Sequence, residues 1–196
     1  MRTFIALELP YEFQDETAAL ARQLSRQISG RFMKRETYHI TLAFLGETNE
    51  ETARQVIATL EQTAFIYRRC QSGQHKQNSA HETGAEMQSI TLIPKGLGKF
   101  GKPQDATVFL ELQQTDKLSF FVKTLRQELT ERNITFDQKK FRPHITLARR
   151  AKISSNALPQ LVFPKPALAS NVTFYRSILT HEGAHYKSLY SISLTN

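Results

Sequence analysis

Two histidines open the same five-residue run: His39 begins HITLA at 39–43 and His144 begins HITLA at 144–148. In each copy a threonine follows two places on, Thr41 and Thr146. Imidazole, with an unperturbed pKa of ~6.5, can both take and give a proton near neutral pH. Two imidazoles facing each other therefore suit a phosphodiester. One takes a proton from water as it attacks phosphorus, and the other gives a proton to the leaving oxygen. The threonine hydroxyls can donate to the non-bridging oxygens, where negative charge must be held. Protons managed this way require no metal and no cofactor. No His/Cys cluster has convincing ligand spacing either: Cys70 is the single cysteine, and His75 and His81 fall in a polar stretch.

Something must hold the two runs face to face. On a strand, side chains alternate faces, so His39, Thr41 and Ala43 share one side while Ile40, Leu42 and Phe44 share the other. The second copy sorts the same way, with His144, Thr146 and Ala148 opposite Ile145 and Leu147. Each strand buries an Ile-Leu face and presents a His-Thr pair, with same-face residues roughly 6.6 Å apart. Around them the patterns predict strands at 3–8, 38–45, 89–93, 106–112, 143–148, 171–179 and 186–194. Helices are expected at 12–29, with Gly30 as stop, from an Asn49 cap through Leu60, and at 116–131. Residues 68–88 are polar and lack apolar periodicity, and read as a flexible surface insertion. Residues 158–166 read as a loop, and 181–185 as a turn between the last two strands. Strand runs mixed with helices indicate an α+β fold with antiparallel sheets. The duplicated motif indicates a bilobal, pseudo-twofold arrangement of one domain, with helices packed outside and a central cleft.

The bulk properties agree with a polyanionic partner. The chain has 196 residues, 26 Lys plus Arg against 18 Asp plus Glu, a net charge of +8 and a pI near 9.7. One cysteine excludes an internal disulfide. The N-terminal apolar run is too short for a secretory signal, and no stretch approaches the ~20 apolar residues of a membrane span. A cytoplasmic monomer without membrane association is the expectation.

Two other motifs carry less. HEGAH at 181–185 fits the zinc-protease pattern H-E-x-x-H, which needs a helix to aim both histidines at one metal. Gly183 and flanking strand-like runs favour a hairpin turn. GLGKFG at 96–101 fits a nucleotide-binding glycine loop, but ATVFLEL behind it is strand-like, so no helix N-terminus would face a phosphate. It reads as a glycine-rich connection between strands.

The stretches RTFIALELP at the start, HITLAFLGE at 39–47, FRPHITLAR at 141–149 and RSILTHEGAHYKSLYSISL at 176–194 together resemble the 2H phosphoesterase superfamily. The branch they resemble is that of the RNA 2′,3′-cyclic phosphodiesterases, also called 2′-5′ RNA ligases. That resemblance implies a bilobal α+β fold and hydrolysis of 2′,3′-cyclic phosphates, on RNA ends or small cyclic nucleotides, to 2′-phosphates. It implies His39 as general acid and His144 as general base, with Thr41 and Thr146 completing the quartet. It also implies Phe44 stacking on the terminal base and Arg149 pairing with phosphate. Simple alternation puts both of these on the far face, so a bend or strand end must intervene if they line the cleft. The reverse reaction, RNA ligation, would use the same residues. A catalytically silent nucleotide- or RNA-binding module is the alternative from another class.

Overall fold

The computed structural model describes residues 1–73, 88–153, 161–181 and 183–195. The N-terminal run TFIAL forms β1 (Arg2–Leu7), whose Phe4, Ile5, Ala6 and Leu7 are all buried because both faces are covered. Helix α1 (Tyr11–Ser25) follows and buries the stripe Phe13, Thr17, Leu20, Ala21 and Leu24. It stops four residues short of the expected end. The Leu24 carbonyl accepts from both the Gln27 and Ile28 amides, which closes the last turn. Gly30 is therefore no helix stop: it lies in a short strand, β2 (Ser29–Phe32). A single 3₁₀ turn, Arg35–Thr37, leads into β3 (Ile40–Glu47).

Asn49 caps α2 (Glu50–Gly73), accepting from the Thr52 amide at 2.7 Å. Val56, Leu60, Ala64 and Tyr67 continue one buried stripe, and Gln71 extends it. The first six residues expected in a surface insertion, 68–73, are therefore helical. Apolar periodicity does not reveal this end of the helix, because a glutamine supplies its last buried position. Residues 74–87 of that expectation lie outside the described residues, and its last residue, Gln88, is buried rather than on the surface. After β4 (Ile90–Leu92) comes β5 (Pro94–Lys102), so the glycine-rich GLGKFG is strand rather than connection. It pairs with β6 (Asp105–Leu112). Gly98 is required there, because a Cβ would lie 2.3 Å from the Phe109 ring that crosses the strand. Helix α3 (Asp116–Glu131) has the expected bounds and the stripe Leu118, Phe121, Val122, Leu125 and Leu129. Thr115 caps it, and it packs on α2 through an edge-on Tyr67–Phe121 pair.

The chain ends with β7 (His144–Lys152), β8 (Ala167–Ala169), β9 (Asn171–Thr180) and β10 (Gly183–Ser193). The last strand begins at Gly183, so the turn is tighter than 181–185; Glu182 lies outside the described residues. Residues 158–160 of the loop expected at 158–166 also do, and 161–166 carry no helix or strand. The fold is α+β with antiparallel pairing, as expected. One four-stranded sheet runs β10-β9-β1-β3, a second runs β2-β7-β6-β5, and β4 pairs with β8. Each large sheet contains one HITLA strand. No described helix is long and apolar enough to cross a membrane.

Candidate active site

Both HITLA strands break their alternation at the same place. Along β3, Ile5 of β1 faces Ala43 and Ala6 faces Thr41, so Leu42 is an extra residue. Along β7, Val108 of β6 faces Ala148 and Phe109 faces Thr146, so Leu147 is extra. A bulge turns the residues after it by one position. Leu42 and Ala43 are both buried, as are Leu147 and Ala148, and the next residue in each strand returns to the side of the His-Thr pair. Phe44 and Arg149 thereby join His39, Thr41, His144 and Thr146 around one cavity of about 500 Å³. The bend that their position demanded is present in both strands.

The imidazoles are anchored alike. His39 Nδ1 lies 2.7 Å from the Thr37 carbonyl, and His144 Nδ1 lies 2.7 Å from the Arg142 carbonyl. A carbonyl only accepts, so Nδ1 carries a proton in both rings and Nε2 is the nitrogen left for chemistry. His39 Nε2 is 3.1 Å from the Thr41 hydroxyl. Among the described residues no corresponding bond joins His144 Nε2 to Thr146.

Aromatic rings hold each imidazole in place. Phe4 lies 4.8 Å from His39 and Tyr186 meets it edge-on at 5.1 Å. Phe109 and Phe100 flank His144 at 5.1 and 5.3 Å. Burial pushes His39 down to about 4; its bond to Thr37 opposes this, and the charges of His144 and Arg149 add to it. His144 is lowered as well, first by burial and then by Arg142 and Arg149, against the bond to the Arg142 carbonyl.

Sequence reasoning missed Arg2, Arg31 and Tyr186, which also line the cavity. Arg2 alternates with Phe4 on β1, and its guanidinium sits 5.0 Å over the Phe44 ring. Arg31 faces Arg149 across the β2–β7 pair. Among the described residues lining the cavity there are three arginines and no carboxylate. The cavity is therefore a cationic slot with two imidazoles and two hydroxyls converging on it. Among the described residues no three His, Cys, Asp or Glu side chains gather as a metal-ligand group. His181 and His185 lie on the last hairpin, where neither is helical. Such a slot can bind an anion, hold developing negative charge and move protons on either side of it.

A family model for LigT-like phosphoesterases matches two segments, 7–69 and 108–176, well over half of the chain, and each segment contains one HITLA strand. An RNA 2′,3′-cyclic phosphodiesterase of Thermotoga maritima is 29% identical over 97% of this chain and 94% of its own length. One from Archaeoglobus fulgidus is 22% identical over 96% and 98% respectively. Among solved structures, a Thermus thermophilus protein superposes with a TM-score of 0.72 at 25% identity, covering 99% of this chain and 98% of its own. Escherichia coli LigT, crystallised with 3′-AMP, gives 0.68 at 23%, covering 100% and 98%.

Proposed function

Since the chain belongs to the LigT-like phosphoesterase family, we propose that it hydrolyses RNA 2′,3′-cyclic phosphates to 2′-phosphates by two-histidine acid–base catalysis. One observation carries this reading: two Nδ1-anchored imidazoles, each beside a threonine, face one arginine-lined slot. The two halves act as a duplicated pair, each supplying one proton-transfer group.

In this mechanism the cyclic phosphate lies between the two strands. Arg149, Thr41 and Thr146 bind its non-bridging oxygens. Phe44 takes the terminal base on the ring face away from Arg2. Neutral His144 accepts a proton through Nε2 from the attacking water, a P–O bond forms, and the bond to the 3′-oxygen breaks in line. Protonated His39 donates its Nε2 proton to that oxygen. The products are a 3′-hydroxyl and a 2′-phosphate, and the two histidines exchange protonation states before the next turnover.

The electrostatics of the slot bear on the roles. With its pKa near 4, His39 is neutral at pH 7 before substrate binds. The substrate's negative charge opposes this: a unit charge 4 Å away at an effective dielectric of ~20 is worth about 4 kcal/mol, or roughly a thousandfold in proton affinity, which brings His39 to about half protonated at pH 7. The same depressed pKa favours a second reading, in which His39 is the base and His144 the acid. Identifying the product from a nucleoside 2′,3′-cyclic phosphate tests the first reading. Phosphorus NMR should show a 2′-phosphate, whereas a 3′-phosphate would reverse the orientation and no turnover would overturn the proposal.

A further inference from the structure

We infer that a second anion subsite, formed by Arg31, Lys34 and His185, takes the phosphate on the 5′ side of the terminal nucleoside. The inference deepens the phosphodiesterase reading and rests on it. A smaller cavity of about 210 Å³ is lined by Arg31, Lys34, Glu36, Thr37, Gly183 and His185, among others. Five of its lining residues, including Arg31 and Gly183, also line the main slot. The two spaces are thus one groove with Arg31 at the junction. At this size the second space is below the ~300 Å³ of an ordinary ligand pocket, so it suits a phosphate rather than a whole nucleotide.

Three features aim the groove at a polyanion. Arg149, the residue that the mechanism places on the reacting phosphate, is paired directly with Arg31 across β2 and β7. The two side chains start from paired positions on neighbouring strands and reach the same slot. Next, Gly183 leaves the path open. It adopts φ +135°, and a Cβ there would stand 2.2 Å from Arg31 Nη2. Any other residue at 183 would be strained and would push the guanidinium off the junction. Finally, among the described residues lining the smaller cavity, one carboxylate, Glu36, stands against the two cations Arg31 and Lys34.

The residue tying 34 to the catalytic half is Thr37. Its amide and its hydroxyl both bond the Lys34 carbonyl, at 3.0 and 2.6 Å, while its own carbonyl anchors His39. A phosphate seated at Lys34 therefore contacts the same 3₁₀ turn that orients His39. Occupying the subsite would fix the polynucleotide's direction and seat its end against the acid.

The test compares kcat/KM for three compounds with one base: a nucleoside 2′,3′-cyclic phosphate with a free 5′-hydroxyl, its 5′-phosphorylated form, and a dinucleotide ending in the cyclic phosphate. At low salt the wild type should favour the second and third by about tenfold over the first, the scale of a charge-assisted hydrogen bond. Lys34→Ala combined with His185→Ala should bring that ratio near one while leaving turnover of the 5′-hydroxyl compound unchanged. Arg31→Ala, at the junction, should lower all three. A wild-type ratio of one, or a ratio unaltered in the double variant, would overturn the subsite. A gain confined to the dinucleotide would also overturn it, because the second base or ribose would then be what is recognised. No turnover of any compound would instead overturn the phosphodiesterase reading.

Discussion

The two histidine-bearing halves use one local design and different supports. In the first, His39 precedes an edge strand. Its Nδ1 partner is the carbonyl of a 3₁₀ turn, its Nε2 faces Thr41, and Phe4 and Tyr186 enclose it. In the second, His144 begins an inner strand of the other sheet. Its Nδ1 partner is the carbonyl of Arg142, whose guanidinium is held by Glu111 at 3.0 Å and lies 5.1 Å from the Phe109 ring centroid. The bulge after each threonine is shared, so both strands re-aim their next side chain into the slot. What differs is what each half adds there: an aromatic, Phe44, in the first and a cation, Arg149, in the second. In the proposed mechanism the duplicated element keeps its proton-transfer geometry while its halves divide substrate recognition between base and phosphate.

The largest expected effect comes from removing either imidazole. His39→Ala or His144→Ala should each lower turnover of a nucleoside cyclic phosphate by about 10²–10⁴ with the far-ultraviolet circular dichroism unchanged. Because the two act as a unit, the double variant should lose little more than either single variant. Losses that multiply would show the two halves working independently.

Acid stability should distinguish the halves next. His39 has a folded pKa of about 4 against an ordinary value of 6.5. Between those values the unfolded chain binds more protons, so stability is complete above about pH 6.5 and falls as pH drops through about 4. Below that the histidine contributes no further change. The loss amounts to about 3 kcal/mol. Denaturant midpoints measured from pH 7 to 4 should fall less steeply in His39→Ala than in the wild type. Parallel curves would show that burial does not hold this imidazole neutral.

Anion binding should then raise the His39 pKa. A proton NMR titration should find it near 4 in the free protein and higher with saturating inorganic phosphate. An unchanged value would leave His39 neutral during turnover, and the base role would pass to it. The smallest effect belongs to the support of His144. Glu111, held low by the bond from Arg142, sits on that arginine's guanidinium. Glu111→Gln should reduce turnover no more than about fivefold, the range of an exposed ion pair. A larger loss would make the pair a central part of the His144 half.

Much of this is legible because a five-residue repeat states its own geometry. The His-Thr faces and buried Ile-Leu faces of 39–44 and 144–148 follow from strand alternation alone, and α3 follows from its unbroken apolar stripe. Phe44 and Arg149 cannot be placed the same way. The extra residues Leu42 and Leu147 are ordinary buried leucines, and nothing in their identity marks a bulge. Arg2 falls just outside the strand expected at 3–8, and Arg31 falls in no expected element, so nothing in their positions marks them as lining a slot. GLGKFG reads as a connection because glycine density signals a turn, whereas the partner ring of Phe109 is what demands Gly98. The four residues of β2 offer no period to read, yet that strand brings Arg31 opposite Arg149.

A leaving-group substitution tests the proposed unequal roles of His39 and His144 most directly. Replacing the 3′-linked oxygen's alcohol by a much better leaving group removes the need for proton donation at that atom and leaves the attack of water untouched. The turnover of His39→Ala should recover by at least about a hundredfold relative to that of His144→Ala, the size of the acid contribution. Preferential rescue of His144→Ala, or equal rescue of both, would contradict the assignment of His39 as the acid.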